Sequence, residues 1–136
     1  MKQAPAIKVV MTKAPMTIDA AETVLSAQRI LSEKGFRHLP VMKGGKPVSM
    51  LSDRDINLAL VANHGLVKAE EMTVEDVCTL ATYTATPDSP LDEVVLNMAD
   101  RQIGSVLVLD GERLAGIFTA TDACRYLGLC LRGELV

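Results

Sequence analysis

Two four-residue runs hold the chemistry this chain can offer. Ser52-Asp53-Arg54-Asp55 and Thr119-Ala120-Thr121-Asp122 each place a hydroxyl three residues ahead of a carboxylate, and a shift of 67 positions lays one run on the other. A Ser or Thr followed three residues later by an acid is the pattern of a capping box. In it, hydroxyl and carboxylate satisfy backbone N–H groups that a helix start leaves without partners. Capping is the ordinary role of either copy. The same geometry has a second use, because a carboxylate in a first helical turn beside a strand end can accept both hydroxyls of a ribose. Free N–H groups at that helix start, with the positive end of its dipole, suit a phosphate. A cleft between apolar strand ends holds a flat base by dispersion and backbone hydrogen bonds, without an aromatic stack. Duplication of the run at equivalent positions raises nucleotide binding above capping alone.

The shift extends well beyond the two runs. Residues 7–62 fall on 74–129 without a gap, pairing Val10 with Val77, Thr12 with Thr79, Ala14 with Ala81, Thr17 with Thr84, Val41 with Val108, Gly44 with Gly111 and Leu60 with Leu127. Met50-Leu51-Ser52 falls on Ile117-Phe118-Thr119, and the apolar 39–42 on 106–109. A duplicated supersecondary unit follows. Each half predicts a lead-in segment, a helix, two strands and a second helix. In the first, Asp19 to Glu22 offers capping and acidic first-turn residues. Val24, Leu25, Ala27, Ile30 and Leu31 then recur at helical spacing up to Gly35. His38–Met42 and Pro47–Leu51 read as strands about the Lys43–Lys46 turn, and a helix runs from Ser52 to about Gly65. In the second, Pro87 to Pro90 opens a helix carrying Leu91, Val94, Val95 and Met98, with Pro tolerated in a first turn. Strands over 103–109 and 114–118 flank Asp110-Gly111-Glu112, and Thr119 opens the last helix. A short helix over 73–79 mirrors Ile7 to Thr12. The expected division is unit 1 over 7–65, a connector over 66–73 and unit 2 over 74–131.

With 136 residues, 49% of them hydrophobic and 23% charged, the chain suits one compact body built from two halves. Near-continuous apolar strands want cover on both faces, which predicts the two halves packed about a pseudo-two-fold axis. A net charge of −3, with two Tyr, two Phe and no Trp, argues against nucleic acid as a partner. The N-terminus lacks the apolar run of a signal peptide, and no stretch approaches the ~18–20 apolar residues that cross a bilayer, so a soluble cytoplasmic protein is expected. Cys78, Cys124 and Cys130 form no Cys-x-x-Cys pair, so no zinc site or disulfide framework is expected, and the three read as buried free thiols. Met11, Met16, Met42, Met50, Met72 and Met98 read as core or interface filler.

The whole of residues 7–131 resembles a tandem pair of cystathionine-β-synthase (CBS) domains, also called a Bateman module. The resemblance rests on the order of elements, the stretch Gly35-Phe36-Arg37-His38-Leu39-Pro40-Val41, the turn before Pro47 to Leu51, and both Ser/Thr-x-x-Asp runs. It implies an α+β fold of two β-α-β-β-α units packed sheet to sheet about a pseudo-two-fold axis, with two clefts between them. It also implies association as a homodimer, and ligands such as AMP, ADP, ATP, S-adenosylmethionine or NAD. Carried across, the ribose-binding acid falls on Asp55 and Asp122, and the leading hydroxyl on Ser52 and Thr119. The base-flanking segments fall on Thr17, Ile18 and Asp19 with Arg37, His38, Leu39 and Pro40, and on Thr84, Ala85, Thr86 and Pro87 with Gly104, Ser105 and Val106. On the phosphate side Arg37, His38 and Arg54 face Gly104, Ser105 and Thr121 as counterparts, so the first cleft is expected to prefer phosphorylated nucleotides. Arg37 and Arg54 also read as solvated charges, and His38 as a hydrogen-bonded strand residue.

The function this implies is a non-enzymatic sensor that binds an adenosine nucleotide or another adenosyl ligand and acts in trans on a regulated protein. A structural dimerisation or scaffold module, with the two runs serving only as caps, is the alternative. A nucleotide hydrolase ranks last, since two His and scattered carboxylates make no nucleophile–base pair and no metal cluster. Apolar residues beyond one buried stripe in the helices after the runs, among them Leu58, Val61, Leu127 and Leu131, predict a dimer interface there.

Overall fold

A computed structural model describes residues 3–78 and 82–134. The chain forms two compact units, one of residues 15–82 and one of residues 1–14 with 83–136. Thr79 and Ala81, the sister positions of Thr12 and Ala14, lie outside the described residues, as does the end of the helix expected over 73–79.

The 15–82 unit contains β2 (Ile18–Asp19), α1 (Val24–Lys34), β3 (His38–Lys43), β4 (Lys46–Ser52), α2 (Asp53–Asn63) and α3 (Val74–Val77). Its sheet has the order β2-β3-β4, with β2 parallel and β4 antiparallel to β3. The start of α1 departs from expectation. Thr23 caps it, its Oγ1 accepting the Ser26 N–H at 3.1 Å, while the Asp19 carboxylate instead accepts the Ala21 N–H at 2.9 Å, turning the chain out of β2. Val24, Ala27 and Leu31 form one buried face of α1 and meet Leu39, Val41, Leu51, Ile56 and Val74 in the core. Gly44 and Gly45 close the β3–β4 hairpin with φ of 60° and 78°, both in the left-handed region that a two-residue type I′ turn demands. The short helix α3 ends at Val77, since Cys78 is already extended, and Lys43 pairs with Glu75 against it.

The second unit contains β1 (Thr12–Lys13), β5 (Thr84–Ala85), α4 (Leu91–Arg101), β6 (Ser105–Asp110), β7 (Arg113–Thr119) and α5 (Ala120–Leu131). Its sheet has the order β1-β7-β6-β5. The lead-in to the first repeat is thus an outer strand of the sheet built by the second repeat. Ile7 N–H donates to the Ser89 carbonyl at 2.9 Å, Leu91 N–H donates to the Pro5 carbonyl at 2.9 Å, and Lys8 pairs with Asp88 at 2.8 Å. Ile7 is buried among Leu91, Val94, Met98, Val106, Val108 and Phe118. Gly116 makes β1 possible: a Cβ there would stand 2.6 Å from the Thr12 carbonyl oxygen and 2.7 Å from the Met11 sulfur.

Superposition by sequence is reproduced in the ladders. α1 and α4, β3 and β6, and β4 and β7 share bounds under the 67-residue shift, and the irregularity between Val41 and Met42 recurs between Val108 and Leu109. The parallel lead-in strands differ by one position. Leu107 N–H donates to the Tyr83 carbonyl at 3.0 Å, so β5 begins at Thr84, whereas its counterpart Pro40 has no N–H to give and β2 begins only at Ile18.

Two expectations about surface and core change. Cys124 is exposed and Cys78 and Cys130 only partly buried, so the thiols are not sealed in the core. α5 carries no fully buried residue; Ala123 and Tyr126 pack half-buried against the core. Met16 is 41% exposed, whereas Met50 and Met98 are buried.

Candidate functional site

Both Ser/Thr-x-x-Asp runs sit where a strand hands over to a helix, and both form complete capping boxes. In the first, Ser52 Oγ accepts the Asp55 N–H at 3.0 Å and the Asp55 carboxylate accepts the Ser52 N–H through Oδ2 at 3.0 Å. In the second, Thr119 Oγ1 accepts the Asp122 N–H at 3.3 Å, and Asp122 Oδ2 accepts both the Thr119 N–H at 2.9 Å and its hydroxyl at 3.1 Å. Each box holds its carboxylate half-buried at the sheet end, in one rotamer.

The strand ladders bring further expected residues to the same ends. His38 lies opposite Ser52, and Ser105 opposite Thr119. The Arg37 carbonyl accepts the Asp53 N–H at 3.1 Å and the Gly104 carbonyl accepts the Ala120 N–H at 2.9 Å, so the residue before each strand pins the helix start. Ile18, Leu39, Pro40 and Val106 are buried in strands. Arg37 and Arg54 are exposed, with no hydrogen bond or ion pair from either guanidinium among the described residues. Thr17, Ile18 and Asp19 line a groove of about 410 Å³ with Glu22, Ser26, Arg29, Ile30 and Glu33 of the α1 side, and that groove includes none of Arg37, Ser52 or Asp55. A second groove of about 300 Å³ runs past Phe36 and Asp53 between α1 and α2. In the second repeat Thr84 is exposed, Thr86 is held by Ser89, and the Pro87 carbonyl is taken by the Lys8 N–H.

One expected element of the phosphate side is absent from the first repeat. The amides of Asp53, Arg54 and Asp55 are all occupied, because the Asp53 side chain turns back and accepts the Arg54 N–H at 2.8 Å. The helix start therefore offers no open N–H and carries an extra negative charge. Ala120 replaces Asp53 in the second repeat and leaves the Thr121 N–H without a partner among the described residues. Thr121 itself is exposed.

Two residues not singled out in the sequence shape these ends. Asp53 is one, its i to i+1 bond hidden behind the more obvious role of an acid in a first turn. Arg125 is the other. Its guanidinium lies 3.4 Å from Asp122 Oδ1, and the i, i+3 spacing on a helix was the available signal. Among the described residues no group of three or more His, Cys, Asp or Glu gathers as a metal site would require, and no helix is long and apolar enough to cross a membrane.

Comparison with known proteins agrees with this architecture. The CBS domain family model matches residues 7–62 and again 70–129. The chain is 32% identical over 124 residues to the L-aspartate semialdehyde sulfurtransferase of Methanocaldococcus jannaschii, covering 90% of this chain and 23% of that enzyme. It is 30% identical over 117 residues to the A-adding tRNA nucleotidyltransferase of Geobacter sulfurreducens, covering 86% of this chain and 13% of that one. The chain thus spans less than a quarter of the length of these curated relatives. Among solved structures, the CBS domain pair of protein MJ0100, in complex with 5′-methylthioadenosine and S-adenosyl-L-methionine, aligns with a TM-score of 0.81 at 31% identity, covering 92% of this chain and 97% of that one. With both repeats matched in sequence and their α+β architecture shared, the chain belongs to the CBS domain family and holds a tandem pair of its domains.

Proposed function

We propose that this CBS pair is a regulatory module that binds an adenosyl ligand through Asp55 and Asp122 and passes the bound state to a regulated protein. The observation that carries the reading is the doubled capping box. In each repeat a half-buried carboxylate is oriented at a sheet end, as recognition of a ribose diol requires. The structure of the MJ0100 pair with methylthioadenosine and S-adenosylmethionine supports the adenosyl class. Asp53 weighs against the expected preference of the first repeat for phosphorylated nucleotides, so S-adenosylmethionine stands beside AMP, ADP, ATP and NAD, and uncharged adenosyl compounds join them. The enzyme-named relatives support a non-catalytic role, since the matched region is a minor part of each. Exposed Leu58 and Val61 on α2, and Leu127 and Leu131 on α5, support a homodimer in which a second copy covers these faces.

Calorimetric titration with AMP, ADP, ATP, NAD, S-adenosylmethionine and methylthioadenosine tests the ligand class. Saturable binding of at least one is expected. Absence of heat and of thermal stabilisation with all six, in folded protein free of nucleotide, would leave the scaffold reading standing. Light scattering at micromolar concentration is expected to give twice the chain mass, and a monomer would contradict the dimer.

A further inference from the structure

The two carboxylates are not equally available. Asp55 uses Oδ2 on the Ser52 N–H, and its Oδ1 has no partner among the described residues. Asp122 has both oxygens engaged: Oδ2 takes the Thr119 N–H and hydroxyl, and Oδ1 faces the Arg125 guanidinium at 3.4 Å. Leu58 holds the position of Arg125 in the first repeat, so no cation stands there. Bidentate recognition of a cis-diol needs an acceptor on each carboxylate oxygen. The guanidinium takes one of the two acceptor positions of Oδ1, and Oδ2 is already filled by two donors, so at Asp122 the second ribose hydroxyl competes with Arg125, whereas Asp55 keeps Oδ1 open.

We infer that Arg125 is a specificity-determining residue: it competes with the ribose hydroxyls for Asp122, so that the first repeat takes an adenosyl ligand more tightly than the second. The inference rests on the assignment of Asp55 and Asp122 as ribose acceptors. Its size is set by the pair itself. The Arg125 side chain is 65% exposed and that of Asp122 only 18%. An ion pair with one exposed arm costs a competing ligand about two- to five-fold in affinity, and salt weakens it.

The test is calorimetric titration of the full chain with adenosine, which has no phosphate or sulfonium to involve Arg125 in a contact of its own, beside 2′,3′-dideoxyadenosine, which lacks the diol. D55N and D122N assign the two binding events. R125L, which installs the residue of the first repeat, and R125Q, which removes the charge without adding apolar surface, are each expected to tighten the Asp122 event about two- to five-fold, or to bring it into the measurable range. Leu58→Arg, with its mass in light scattering unchanged, is expected to weaken the Asp55 event by a similar factor, and added salt to narrow the gap between the sites in the wild type. Dideoxyadenosine is expected to show no gain from R125Q. Unchanged or weakened binding at the Asp122 site in both Arg125 variants, with D122N still abolishing it, overturns the competition and makes Arg125 a ligand contact or a bystander. Adenosine binding that neither D55N nor D122N disturbs sinks the ribose assignment itself, and this inference with it.

Discussion

At the scale of single residues, the atoms proposed for recognition also hold the helix starts, and the two roles can be separated. Ser52→Ala removes the acceptor of the Asp55 N–H and is expected to cost about 0.5–2 kcal/mol in urea denaturation. Gly116→Ala drives a methyl group into the Thr12 carbonyl and is expected to cost about 1–3 kcal/mol. Gly128→Ala, in the open on α5 with nothing within 4 Å, is expected to gain about 0.5–1 kcal/mol instead. Equal effects at the two glycines would contradict the close approach of β1. Much at this scale was legible in the sequence. Hydroxyl and carboxylate three apart announce a capping box, and their recurrence announces the second one. What the sequence did not disclose is where second oxygens and stray amides go. Asp53 closing the Arg54 amide, and Arg125 engaging Asp122, are choices among rotamers that spacing permits but does not select.

Elements follow local chemistry closely enough that a single missing donor shifts a strand. Pro40→Leu restores an N–H where the second repeat uses Leu107 to bond Tyr83, in a ladder of the same register. β2 is then expected to lengthen by one residue, and the new amide at position 40 to be protected in hydrogen exchange. Exchange of that amide at the rate of an open loop would contradict the explanation of the short strand. Helices and hairpins were legible because apolar periodicity and the glycine turns are local signals, and apart from the starts of α1 and of α4, which begins at Leu91 rather than over 87–90, their bounds agree with the structure to within a residue or two. The start of α1 was misplaced because Asp19 and Thr23 both suit a cap, and the ladder of β2 on Val41 and Met42 claims Asp19 for the strand. Burial was expected of Cys124 as well, but α5 meets the core through Ala123 and Tyr126, and Cys124 is exposed.

For the whole molecule, the repeat in the sequence and the compact units in space are cut at different places. Residues 1–14 belong with the second repeat, where Ile7 is wholly buried, and Val74 completes the core around the first. No periodicity encodes this, because a lead-in that matches either sheet says nothing of which it joins. A fragment of residues 15–82 is therefore expected to unfold cooperatively by circular dichroism. A fragment of residues 1–66, which ends at the repeat and lacks Val74, is expected to unfold at lower denaturant and without a sharp transition; the reverse order would contradict the division. The central claim, that this CBS pair reads an adenosyl ligand through a ribose-accepting carboxylate, is tested most directly by titrating the wild type and Asp55→Asn with the tightest adenosyl ligand found. Loss of a charged hydrogen bond predicts binding roughly 10- to 100-fold weaker in the variant, with its folded state retained by circular dichroism. Equal affinity in the two proteins would contradict the claim and reduce the carboxylate to a helix cap.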